Sequence, residues 1–130
     1  MTRWTDITTF LSTSQDVVAL TQTDDRTAYI LLRTDNGQTA AMVLDNSCGD
    51  WLHILAPLTV GAKKTASRYG TEPGMAVIRW NGAWALHQGI HQPHTTPELV
   101  LAALAATASA AYPTKPSPRP ASDTAPVTVR

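Results

Sequence analysis

Asn36-Gly37 and Asn81-Gly82 each stand between runs of alternating apolar residues, and nothing else in the chain limits its fold as sharply. Asn-Gly accepts the positive φ that a two-residue type I′ turn demands, so each dipeptide predicts a β-hairpin, and a hairpin fixes an antiparallel pairing together with its register. For the first, residues 28–33 and 39–44 are the strands and Asp35 faces Gln38. That sets Leu32 opposite Ala41, Leu31 opposite Met42, Ile30 opposite Val43 and Tyr29 opposite Leu44. For the second, residues 75–80 and 83–88 pair around Asn81-Gly82. Arg79 then faces Trp84, where a cation–π contact worth about 0.5–1 kcal/mol is expected.

The remaining elements follow from caps and periodicity. Thr5 or Asp6 caps a short helix to about Thr13, with Ile7, Phe10 and Leu11 on one stripe. Residues 16–21 read as a strand, closed by the polar cluster at 23–26. Residues 46–50 turn the chain into a further strand over 51–57. Between 58 and 73 the expectation is a short helix over 62–69 or an irregular crossover. Thr95-Thr96-Pro97-Glu98 opens the last helix, with Thr95 as cap, Glu98 reaching back to it, and Leu101, Leu104, Ala105, Ala108, Ala111 and Tyr112 as its apolar stripe. Beyond Pro113 the chain is rich in proline and offers little to bury, so residues 113–130 are expected to be a disordered tail. The architecture expected is α+β, a mainly antiparallel five-stranded sheet with N-terminal, short middle and C-terminal helices in the order α-β-β-β-α-β-β-α, in a single domain over 1–112.

A chain of 130 residues can bury a core without staples. Ten basic and ten acidic side chains cancel, which removes the electrostatic drive toward nucleic acid or an anionic membrane. No stretch approaches the roughly 20 apolar residues that span a bilayer. Cys48 is the only cysteine, so no internal disulfide forms and a cytoplasmic location is the simpler expectation.

The strands are apolar on both sides. In the expected register Tyr29, Leu31, Met42 and Leu44 share one face, and Ile30, Leu32, Ala41 and Val43 the other. Two apolar faces need two layers of cover. Either the first and last helices roof opposite faces, or several hundred Å2 of apolar surface is left, the range that marks an interaction site. Tyr29, Leu31, Met42, Leu44, Trp80 and Trp84 are the candidate partner-binding residues, the partner being another protein or a second copy of the chain. Trp51 reads as core.

The motifs that carry chemistry are weak. His87 and His91, if on one strand, lie about 13 Å apart, too far for one ion. No Cys-x2-Cys or His-Glu-x2-His unit accompanies them or His53 and His94. Gly61-Ala62-Lys63-Lys64-Thr65 lacks the first glycine of a phosphate loop, Ala56 standing in its place. Cys48 has no basic activator near it in sequence, and Asp24, Asp25, Asp45, Asp50, Glu72 and Glu98 fall mostly in turns and caps. Pro113-x-x-Pro116 fits a linker or solubilising end better than a ligand for an aromatic groove. No catalytic, cofactor or metal residue is assigned.

Trp51-Leu-His-Ile-Leu-Ala-Pro57 as a strand, and Trp84-Ala-Leu-His87 leading through Thr95-Thr-Pro-Glu-Leu-Val100 into a closing helix, give the chain its resemblance over about residues 5–112 to the YbjN-like family of bacterial sensory transduction regulators. That family has the fold of type III secretion chaperones. Its longer, Asn-rich middle helix has no counterpart here. The resemblance implies a non-enzymatic, often dimeric protein-binding module with no catalytic residues to carry over. The alternative is a small metal- or ligand-dependent enzyme using the sheet face near His87 and His91.

Overall fold

Six extended segments find partners in one sheet. The computed structural model describes residues 3–24, 26–34, 37–58 and 74–112. The short helix expected within 58–73 and the proline-rich tail lie outside the described residues, Leu58 apart. The strands are β1 (Val17–Gln22), β2 (Thr27–Arg33), β3 (Thr39–Cys48), β4 (Trp51–Pro57), β5 (Met75–Trp80) and β6 (Ala83–His91). Their order is β1-β2-β3-β4-β6-β5, and every pairing is antiparallel. The sheet has six strands and not the expected five: the segment read as a strand at 16–21, which the expected order left uncounted, pairs along β2 through a turn in which Asp24 Oδ1 accepts the backbone N–H groups of Arg26 and Thr27. β6 takes an interior place because Ala85 and Leu86 bury on its two faces, and the less buried β5 is left as an edge.

The two Asn-Gly turns differ. At Asn81-Gly82 both residues have positive φ, 50° and 79°, and Arg79 faces Trp84 as a type I′ hairpin requires. The guanidinium carbon lies 5.2 Å from the Trp84 ring centroid. At Gly37 the loop is one residue longer. Thr34, not Asp35, closes on Gln38, with the Thr34 N–H donating to the Gln38 carbonyl at 2.7 Å and Gly37 in the left-handed region at φ 82°. The register therefore slips by one, pairing Ile30 with Met42, Leu32 with Ala40 and Tyr29 with Val43. The slip gathers Ala28, Ile30, Leu32, Ala40, Met42 and Leu44 on one buried face and sends Arg33, Thr39 and Asp45 to the other. A register that sorts large aliphatics from polar groups buries more apolar area.

Two helices, α1 (Trp4–Thr13) and α2 (Pro97–Ala111), are described. α1 begins two or three residues earlier than expected: Arg3 is the N-cap, and its N–H donates to Asp6 Oδ2 at 3.1 Å. α2 is capped by Thr96, not Thr95, with the Leu99 N–H donating to Thr96 Oγ1 at 3.2 Å. Its buried stripe is Val100, Leu104, Thr107, Ala108 and Ala111, turned from the expected one so that Ala105 faces solvent. Thr107 is tolerated there because its hydroxyl serves the Ala103 carbonyl and Gln88 Oε1. Tyr112 donates its hydroxyl to the Pro57 carbonyl and ties the helix end to β4.

Both helices lie on one side of the sheet. Trp4, Ile7, Leu11, Val100, Leu104 and Ala108 pack with Ile30, Leu32, Met42, Leu44, Leu52, Ile54 and Leu86 into a single core. No helix among the described residues is long and apolar enough to cross a membrane.

Candidate functional site

Strand alternation dictates what the other side of the sheet carries. Residues paired with Tyr29, Leu31, Val43 and Leu55 point away from both helices, so that face holds Ala19 and Thr21 from β1, Tyr29 and Leu31 from β2, Ala41 and Val43 from β3, Leu55 and Pro57 from β4, Ala85 and His87 from β6, and Ile78 and Trp80 from β5. It divides into two halves. Over β4, β6 and β5, Val43, Leu55 and Ala85 are buried with Ile78 and Trp80 packed against them, a second, smaller core. Over β1 to β3, Val43 aside, the apolar groups are exposed: Tyr29 is 41% and Leu31 42% accessible, and Ala19, Thr21 and Ala41 beside them also face solvent. Between the halves runs a shallow groove lined by Ala19, Tyr29, Leu31, Ala41, Pro57 and Trp80.

Of the six candidate partner-binding residues, Tyr29, Leu31 and Trp80 line this groove. Met42 also borders the groove, but its side chain, like that of Leu44, does not belong to this face. The register slip carries both to the helix face, where they are 1% and 0% accessible. Trp84 is also on the helix side of the sheet, half-buried beside Arg79. Trp51, expected in the core, is 49% exposed at the end of β4. Ala19, Ala41 and Pro57 were not singled out from sequence. Their place in the groove depends on which strands become neighbours, although the alternation that gave Tyr29 and Leu31 a common face would have found Ala41 once the register was known.

A histidine cluster occupies the far end of the same face. His53 on β4 and His87 on β6 approach to 2.8 Å between Nδ1 and Nε2, with nearly parallel rings. One ring donates and the other accepts. Burial, and secondarily the neighbouring His53, pushes the His87 imidazole below its ordinary value, so it favours the neutral form. His91 stacks on His94 and meets Trp51 edge-on. His87 and His91 therefore belong to two separate ring pairs. Among the described residues no group of three or more His, Cys, Asp or Glu side chains is placed to hold a metal ion.

No protein-family model matches this chain, and no curated protein is similar to it in sequence. In fold it is similar to a chain of the solved HopA1–SchA chaperone–effector complex, with a TM-score of 0.51 and 17% identity, over 75% of this chain and 80% of that one. At that identity the likeness is one of fold alone. What the two chains share is an α+β fold, here an antiparallel sheet backed by helices on one side.

Proposed function

We propose that this chain is a non-enzymatic protein-binding module, chaperone-like or regulatory, that takes another protein or a second copy of itself on the exposed β1–β3 half of its sheet. The observation that carries the reading is the pairing of two exposed large apolar side chains, Tyr29 and Leu31, with a groove floored by Ala41 and walled by Trp80 and Pro57, on the side of the sheet away from both described helices. Contiguous apolar surface of this kind marks contact sites, and Tyr and Trp supply large contact area at low entropic cost. The fold shared with a chain of a chaperone–effector complex supports a protein as the ligand. The reading takes residues 1–112 as one domain, the proline-rich end as a solubilising tail, and the cytoplasm as the location.

Sedimentation over a range of concentrations tests the self-associating form. The wild-type chain is expected to gain mass with concentration, and Leu31→Asp to stay monomeric with an unchanged far-UV spectrum. Leu99→Asp, at an exposed leucine of α2 on the helix side, serves as the control and should behave as wild type. If the wild type is monomeric, retention of a specific partner by the wild type and by Leu99→Asp but not by Leu31→Asp supports the other form. Equal retention by all three would refute the reading.

A further inference from the structure

We infer that His53 and His87 form a two-imidazole binding site for a divalent transition-metal ion, with Cu2+ the best fit. The site is invisible in the sequence, where 34 residues separate the two histidines. It is created by the pairing of β4 with β6, which sets His53 across from Gly89 and His87 across from Leu55, so the rings meet diagonally on one face. Both strands are interior to the sheet, so the backbone positions of the two ligands are fixed before any ion arrives.

The chemistry of the two donors then ranks the metals. Two imidazole nitrogens each about 2.0–2.1 Å from one ion, at angles between a right angle and the tetrahedral one, lie about 2.8–3.4 Å apart. The observed separation of 2.8 Å is that of the hydrogen bond the rings share without metal, and it brings the two nitrogens within bridging reach of one ion; among divalent ions Cu2+ heads the affinity order for nitrogen sites. Loading needs no net loss of protons. The ring that now donates its N–H to the other moves that proton to its second nitrogen, the shared hydrogen bond breaks, and two lone pairs face the ion. The rings are half-buried, and the ion's remaining positions open to solvent. Asp45, cross-strand from His53 on the same face, adds negative charge nearby while its Oδ1 accepts the Ser47 N–H. His91 and His94 stack face to face with centroids 4.8 Å apart and have no comparable nitrogen–nitrogen approach among the contacts described.

The test is titration of the full chain with CuCl2, followed by calorimetry and electron paramagnetic resonance. The expected result is one tight ion per chain, whose spectrum carries the splitting of two imidazole nitrogens. His53→Gln and His87→Gln should each abolish the tight site, while His91→Gln and His94→Gln leave it intact. The wild-type spectrum reads the ligand set without any variant, so a failure of one variant to fold does not blunt the test. Absence of saturable binding, a spectrum without two imidazole nitrogens, or a tight site that survives His53→Gln and His87→Gln would overturn the assignment.

Discussion

The two faces of this sheet are built from similar residues and meet different surroundings. On the helix side Ile30, Leu32, Met42, Leu44, Leu52, Ile54 and Leu86 are no more than 1% accessible. On the other side Val43, Leu55 and Ala85 reach 1–2% beneath their own neighbours, while Tyr29 and Leu31, one to three strands away, stay above 40%. Composition does not separate the buried residues from the exposed ones, since leucine occurs in both. Cover does: both described helices pack on the same face. Apolar residues that a chain places on a strand and leaves uncovered are available to something else, which is why the exposed half-face, and not the better-filled core, carries the functional reading.

If the contrast is real, the largest effect should come from the helix side. Leu86→Ala, at a side chain with no exposed surface, should cost about 2–5 kcal/mol of folding stability in a denaturant titration. A smaller loss is expected from Trp80→Ala, about 1–2 kcal/mol, since it packs on the three-residue second core and is itself only partly buried. Thr96→Ala should cost about 1 kcal/mol by removing the acceptor of the Leu99 N–H at the start of α2. At the bottom of the scale, Leu31→Ser should change folding by less than about 0.5 kcal/mol, because the side chain it removes already meets water. A Leu31→Ser loss as large as that of Leu86→Ala would mean that the chain itself covers the face.

Acid adds a test of the histidine end. The folded state holds the His87 pKa below the ordinary 6.5, so below that value the unfolded chain binds the proton more readily and stability falls as pH falls. In buffer with a chelator, wild type should lose stability between about pH 7 and 5, and His87→Gln should lose less over the same interval. An identical pH profile for both would remove His87 from the account.

Much of this was legible in the sequence, and the failures have definite causes. The second hairpin, its register and the Arg79–Trp84 contact all follow from Asn81-Gly82 and the strands beside it. The first hairpin does not, because Asn-Gly fits both a two-residue turn and the end of a three-residue loop with glycine in the left-handed position. The choice was made by burial, which no local signal reports: only the slipped register sets Ile30 beside Met42 under the helices. That one-residue difference is what displaced Met42 and Leu44 from the candidate surface. In α2 the expected stripe holds at Leu104, Ala108 and Ala111 and fails at Ala105, because alanine is so frequent that several faces look equally apolar. The core takes Val100 and Thr107 and leaves Leu99 57% exposed. The doubly apolar strands were read correctly as a demand for cover, but which side the helices would take was not readable. The contact of His53 with His87 depends on strand order, which a sequence spacing does not carry.

The most direct measurement places a photo-crosslinking amino acid at position 31 of the full chain in its native cell, with position 99 on α2 as the matched control, exposed but on the helix side. The account predicts discrete protein adducts at position 31, of dimer mass or with a larger partner, and none at position 99. No adduct at 31, or the same adducts from both positions, would contradict the claim that the uncovered half of the sheet is where this protein meets its partner.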